Sequence, residues 1–297
     1  MLINRANLAD MFRGFQMIFQ GAAQQAPSMF ERFVTVVPSQ TSEEKYAWLG
    51  SMPRFREWLG DRVLQSLSTS DYTIKNKPFE MSIEVDRDDI EDDKIGIYTP
   101  IIQQMGSESK THPDELVFAL IASGFSSLCY DGQYFFDTDH PVELEDGSMG
   151  TWSNFQGGTS TAWYLLDLRR PMKPFIFQRR RDYNFVGMVD ERDEAVFMRK
   201  KFRYGVDARV NTGFGLPHLA YASKQTLDIA NYSAARAAMG SLKGDKGKPL
   251  AIQGNVLLVP PSLEKQGAEI LNAQRLSNGA DNVMAKTAEL VVCPWLS

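Results

Sequence analysis

The chain has 297 residues with 43% hydrophobic side chains, enough to bury the core of one large domain or two ordinary ones. A net charge of −5 and a pI near 5.4 exclude a dedicated phosphate-backbone binder, which carries a basic excess. Positive charge clusters only locally, at residues 179–181 and 199–201. No apolar run is long enough to span a membrane, and the N-terminus carries Asp10 and lacks an apolar signal core, so a soluble, intracellular product is expected. The two cysteines, Cys129 and Cys293, sit in apolar contexts and read as buried free thiols.

Residues 4–20 place Leu8, Met11, Phe12, Phe15 and Phe19 at spacings of three and four, which predicts an amphipathic helix ended by Gly21. It is either a core helix or an N-terminal arm docked on a neighbouring subunit. Residues 32–37 form a β-prone run closed by Pro38. Two Trp-Leu-Gly triplets follow, starting at Trp48 and Trp58; they read equally as anchors in a contact or as caps on the local core.

The stretch 71–93 organises the rest. Phe79, Met81, Ile83 and Val85 alternate with Glu80, Ser82, Glu84 and Asp86, the period of a strand with one apolar face. Asn76-Lys77-Pro78 is turn chemistry, so Tyr72-Thr73-Ile74 is expected to pair back, making a protruding two-stranded arm. Residues 86–93 are an acidic run suited to the first turn of a helix. An isolated hairpin is marginal in water, so this arm is expected to lie on something else, such as another copy of the chain.

Residues 94–106 read as helical but interrupted at Pro100. A new helix is expected from Thr111, with Pro113 and Asp114 in its first turn and an apolar stripe at Leu116, Val117, Phe118, Leu120 and Ile121. Residues 130–145 are loop-rich, and residues 147–161 read as a mobile surface loop. Strands are expected at residues 163–166, 174–178 and 195–203, then a bent strand with a glycine turn to residue 223. Residues 226–242 form an alanine-rich helix, with Ala230, Ala234, Ala237 and Ala238 on its packing face. Residues 255–259 are a strand buried on both faces, 263–274 a helix and 288–293 a closing strand, an α/β or α+β block.

The residues offer little for catalysis. No nucleophile-elbow pattern occurs, and the glycines at 213–215 and 247–249 fail the phosphate-loop spacing. Asp137, Asp139 and His140 are the best candidate metal cluster, more simply read as a turn in which Asp and His cap backbone groups. The acidic run lacks the central glycine of a calcium loop. No catalytic, cofactor or metal residue is assigned.

The linear order YAWLGSMPRFREWLGDR, YTIKNKPFEMSIEVDRDDIEDDKIGIYTPIIQQMG, HPDELVFALIASGF, CYDGQYFFDTDHPV, WYLLDLRRPMKPFIFQRR, FRYGVDARVNTGFG and LLVPPSLEKQGAEIL resembles the major head (capsid) subunits of Mu-like tailed phages, over essentially the whole chain. That resemblance implies the α+β capsid fold of the Hong Kong 97 type. It would place an N-terminal arm at residues 1–40, an extended loop at 41–85 and a peripheral domain with its spine helix at 86–225. An axial domain would follow at 226–286 and a closing strand at 287–297. The implied function is a non-enzymatic virion shell protein that self-assembles into hexamers and pentamers of an icosahedral head. Its implied partners are a separate scaffolding protein, a portal, a decoration protein and packaged double-stranded DNA, with no membrane. Candidate inter-subunit contacts are Phe12, Phe15, Trp48, Trp58, Tyr72, Ile74, Lys75, Lys77 and Phe79; crosslinking through the loop lysines is not expected. The alternatives are a nanocompartment (encapsulin-like) shell and, further off, a metal-dependent hydrolase centred on Asp137, Asp139 and His140.

Overall fold

The computed structural model describes residues 3–50, 72–190, 192–275 and 279–296. Helix α1 (Arg5–Gln25) starts where the Asn4 side chain accepts the Asn7 amide proton at 2.8 Å. It buries Leu8, Met11, Phe15 and Phe19, the stripe its spacing predicts. Strands β1 (Val34–Pro38), β2 (Glu43–Lys45), β3 (Thr73–Lys75) and β4 (Lys77–Asp86) follow, then the short α2 (Arg87–Glu91). The acidic run therefore does open a helix, but one of only five residues.

The strand pairing differs from expectation. β3 pairs with β2, not with β4. β4 pairs along its whole length with β10 (Lys201–Phe214), Lys77 opposite Val210 and Asp86 opposite Lys201. Alternation identifies which face of a strand is apolar but carries no information about its partner. Pro78 fits because β4 is an edge strand of the four-stranded sheet β1-β9-β10-β4, where β9 is Phe175–Met188.

Helix α3 (Thr99–Ser123) is one continuous element of 25 residues. Pro100 lies in its first turn, where its missing N–H costs nothing, so it starts the helix and does not interrupt it. Thr111 is interior, its hydroxyl turned back to the Ser107 carbonyl at 3.3 Å, and Pro113 sits inside the helix. Asp114 is no first-turn acid: it is 2% exposed and accepts the amide protons of Met29 (2.9 Å) and Phe30 (2.6 Å). One carboxylate thereby fixes the entry to β1 on the spine helix.

β5 (His140–Glu143), β6 (Met149–Trp152) and β7 (Phe155–Gly158) occupy the segment read as loops. β8 (Trp163–Leu166) precedes β9. Residues 195–203 do not form one strand: α4 (Glu194–Arg199) ends at Lys200 with φ 54°, and β10 begins beyond it. Weak alternation over a few residues does not separate a strand from a helical turn. β11 (Ala220–Lys224), α5 (Ile229–Gly240), β12 (Val256–Val259), α6 (Glu264–Leu271) and β13 (Glu289–Val292) complete the chain. α5 buries Tyr232, Ala235 and Met239, whereas Ala230, Ala234 and Ala237 face outward.

The second large sheet has the order β13-β12-β8-β11-β7. Every residue of β8 and β12 is buried, so both strands feed two cores. Tyr164, Leu166, Val256 and Leu258 face Phe118, Phe135, Phe136, Phe175 and Phe214. Trp163, Leu165, Leu257 and Val259 face α5 and α6 through Tyr232, Met239, Ile270 and Leu271. A third core lies between α1, α3 and the far end of the first sheet, around Phe15, Phe19, Phe185, Phe202 and Tyr204. Cys129 and Cys293 are buried free thiols, as expected.

α1 crosses α3 at Gly106, where a Cβ would meet the Phe19 carbonyl oxygen at 2.3 Å and the Ala22 Cβ at 3.0 Å. Because the obstacle is backbone, the helices must separate to admit a side chain. Gly106→Val is expected to cost about 1–3 kcal/mol by overpacking. Hydrogen exchange checks it: the α1 amides should exchange faster while those of Val256–Val259 keep their protection.

Candidate assembly site

β2 and β3 run antiparallel, with Lys45 opposite Thr73, and the Tyr46 amide donates to the Tyr72 carbonyl at 2.9 Å. The Ala47–Gly50 turn follows with Leu49 buried against the body, and Tyr72 lies back beside Tyr46. Residues 51–71 lie outside the described residues.

The root of this excursion is held by a buried polar network. Gln178 of β9 is fully buried; its carbonyl oxygen accepts the Tyr46 hydroxyl at 2.8 Å. Its amide nitrogen donates to the Ile74 carbonyl at 3.0 Å and to Asn76 Oδ1 at 2.8 Å. Asn76, 4% exposed, donates in turn to Ser39 Oγ (2.8 Å) and to the Thr41 carbonyl (2.9 Å). The two ends of the loop thus meet on one side chain of the sheet. Buried amides are costly unless paired, so the satisfied network locks the register. An apolar patch of Tyr46, Leu49, Ile74 and Ile176 covers it.

On the outer side Glu44 closes the turn. Its Oε1 accepts amide protons from Gln40 (2.9 Å) and Thr41 (3.2 Å) and the hydroxyl of Ser39 (2.9 Å). These bonds, led by that from Gln40, hold its carboxyl down at about 2.

Most residues expected at contacts between subunits are engaged inside their own chain. Phe12 stacks on Phe185 at 5.6 Å, and Phe15, 2% exposed, meets Tyr204 edge-on at 5.1 Å. The Tyr72 hydroxyl accepts the Phe214 amide proton at 2.7 Å, and burial pushes its pKa up to about 12. Ile74 is 3% exposed, and Phe79 packs edge-on against His112 at 4.5 Å. Lys75 and Lys77 are exposed. Trp48 lies in a 3-10 turn, Ala47–Gly50, and Trp58 falls outside the described residues.

Sequence reasoning missed another surface. At the far end of the β9–β10 hairpin Phe197 is 81% and Met198 69% exposed on α4, with Val186 and Met188 also exposed on β9. The signal was Asp193 and Glu194 opening a short helix, which alternation concealed. Exposed apolar groups of this kind mark interaction surfaces.

Asp137, Asp139 and His140 do not converge. Asp137 accepts the amide protons of Thr138 (2.8 Å) and Tyr134 (3.2 Å), whereas the His140 ring bonds Asp131 and Asn154.

Two measurements test the loop root. Gln178→Leu takes the amide donor from Asn76 Oδ1 and removes one bond each from the Tyr46 hydroxyl and the Ile74 carbonyl, at about 1–3 kcal/mol for a group left buried without a partner. Urea unfolding of the unassembled subunit should show a lower midpoint. Because the Glu44 carboxyl is held below its ordinary value of 4.5, its contribution is fully present above that pH and is lost as pH falls toward about 2. Amide protection at Gln40 and Thr41, corrected for intrinsic exchange, should fall across that window and be independent of pH in Glu44→Gln, whose side-chain oxygen accepts the same protons but does not titrate.

Comparison with known proteins agrees with this architecture. The family described as "Mu-like prophage major head subunit gpT" matches residues 8–296. The "Mu-like prophage FluMu major head subunit" of Haemophilus influenzae is 41% identical over 271 residues, covering 89% of this chain and 88% of the relative. The major capsid protein of Escherichia phage Mu is 37% identical over the whole of both chains. Among solved structures, the bacteriophage JBD30 procapsid subunit superposes with a TM-score of 0.89 at 43% identity, covering 99% of this chain and 100% of that one. The JBD30 capsid decorated with minor capsid protein trimers gives 0.78 at 33% identity, over 94% of each chain. These relatives are phage head proteins, so a nanocompartment shell is not favoured and a metal-dependent hydrolase has no support. The chain belongs to the Mu-like prophage major head subunit family: it has the Hong Kong 97 type capsid fold and is a non-enzymatic major capsid protein of the virion, which associates with itself into a shell.

Proposed function

We propose that the subunit assembles into hexamers and pentamers of an icosahedral head closed around double-stranded DNA, with residues 51–71 reaching across to an adjacent subunit. The carrying observation is the clamped loop root. Strands β2 and β3 meet side by side, and the surrounding apolar residues are engaged within their own chain. Whatever the loop contacts beyond its root is then borne by the excursion, which includes Trp58.

The same geometry supports a revised division of the chain. The loop proper is residues 51–71, shorter than 41–85, since β2 pairs with β3, Leu49 is buried and β4 is part of the four-stranded sheet. The peripheral domain is that sheet with α1 and α3. The axial domain is the five-stranded sheet with α5 and α6, and it draws β7, β8 and β11 from before residue 226. α1 then belongs to the peripheral domain through its crossing with α3 and is not a free arm. The exposed Phe197 and Met198 form a second contact with neighbouring subunits.

A separate scaffolding protein during assembly and a portal at one vertex complete the reading. The decorated JBD30 capsid supports a decoration protein as a further partner. The acidic balance supports DNA held without tight or sequence-specific contacts.

Replacing residues 51–71 with a short glycine-serine linker is the direct test, because the paired ends at Lys45 and Thr73 can be bridged without moving them. The variant subunit should fold with an unchanged urea midpoint yet give no closed shells by negative-stain microscopy and sedimentation, when co-expressed with the scaffolding gene. Normal particles from that variant would remove the loop from the assembly mechanism. Nuclease-protected DNA in particles from infected cells tests the cargo.

A further inference from the structure

The turn after α3 and the start of β5 bring together Cys129, Asp131 and His140. Their ligand atoms all lie within 4.8 Å of one another, and among the described residues this is the one such group of three or more His, Cys, Asp or Glu side chains. The site is enclosed: Cys129 is 5% exposed, His140 is 0% exposed and the Asp131 side chain is 9% exposed. Cys129 Sγ donates to Asp131 Oδ1 at 3.0 Å, and His140 Nδ1 lies 2.7 Å from Asp131 Oδ2.

The ring orientation follows from Asn154, itself fully buried. The Asn154 amide nitrogen donates to the Phe135 carbonyl (2.8 Å) and the Pro217 carbonyl (3.3 Å), so its Oδ1 must be the atom turned to the histidine. That oxygen also accepts the Asp137 amide proton at 2.9 Å. His140 Nε2, 3.3 Å away, is therefore a donor to Asn154 Oδ1. Nδ1 then faces the Asp131 carboxylate at hydrogen-bond distance.

We propose that Cys129, Asp131 and His140 form a structural zinc site that pins the turn after the spine helix to the body of the subunit. Thiol, imidazole and a single carboxylate are a borderline-soft set suited to Zn²⁺ and unsuited to Ca²⁺ or Mg²⁺. The Nε2–H bond to Asn154 is the outer contact that a metal-bound histidine makes to fix its tautomer. Zinc bonds of about 2.0–2.3 Å put tetrahedral ligand atoms about 3.3–3.7 Å apart. The two hydrogen-bonded pairs, at 3.0 and 2.7 Å, must therefore open by less than an ångström while the Cys129 and His140 atoms, within 4.8 Å of each other, close onto the ion, leaving the fourth position to water. On binding, the Cys129 thiol proton is released to solvent and the imidazole ligates as the neutral ring, its Nδ1 lone pair on the ion and its proton on Nε2. The Asn154 carbonyl accepts from the Ala222 amide at 2.9 Å, so the pinned turn is tied directly to β11.

The test uses the full-length subunit purified without chelator from zinc-supplemented cells. Elemental analysis should find about one zinc per chain in the wild type, and Cys129→Ser and His140→Gln should lose most of it. In case those variants fail to fold, the wild type stripped of metal and loaded with Co²⁺ gives an independent reading. It should show sulfur-to-cobalt charge transfer and tetrahedral d–d bands, both retained in Cys293→Ser. A wild type that binds no zinc, shows no sulfur–cobalt band, or binds zinc equally well without Cys129 would overturn the proposal.

Discussion

The two ends of the loop, carried by the separate β2–β3 pair, are tied to the first sheet through hydrogen bonds to one buried side chain, the amide of Gln178. Tyr46 on the outgoing strand and Ile74 and Asn76 on the returning one all bond to it. A polar group buried on β9 would be a liability if any of these partners were missing. With all of them present it fixes the register of β2 against β3. It also sets the place from which residues 51–71 depart. A root clamped in this way suits a shell subunit, which must hold its own fold while meeting its neighbours.

Behind that root the body is built to resist deformation. β8 and β12 are buried on both faces and join two cores, so the five-stranded sheet cannot shed one layer without exposing the other. The spine helix does similar work on the other side. Asp114 binds the chain entering β1, and Gly106 lets α1 approach to backbone contact. Surface ion pairs such as Arg203 with Glu84 at 3.0 Å line the β4–β10 edge but contribute little in water. Stability therefore rests on aromatic packing and buried hydrogen bonds.

Much of this was legible in the chain itself. The spacing of Leu8, Met11, Phe15 and Phe19 gives α1, the alternation from Phe79 gives β4, and the apolar run before Pro260 gives β12. Partners were not legible, because a strand's period fixes its apolar face while pairing depends on residues more than a hundred positions away, as with β4 and β10. Prolines misled in α3, where Pro100 begins the helix and Pro113 is carried inside it. The candidate contacts show the same limit. Phe15 and Ile74 were chosen for their apolar character, and that character is why both are buried in their own chain. Phe197 and Met198, hidden in a weak alternation, are the ones left exposed. His140 was considered with the adjacent aspartates, whereas the side chains beside it in the structure, Asp131 and Cys129, come from across the turn.

The central claim is that a clamped root presents residues 51–71 to an adjacent subunit. A cryo-electron microscopy map of assembled particles tests it most directly. The account predicts the Gln178 network intact in every subunit, with residues 51–71 and Trp58 lying on a neighbour. A map in which that segment folds back onto its own subunit, or in which Tyr46 and Ile74 have separated from Gln178, would contradict it.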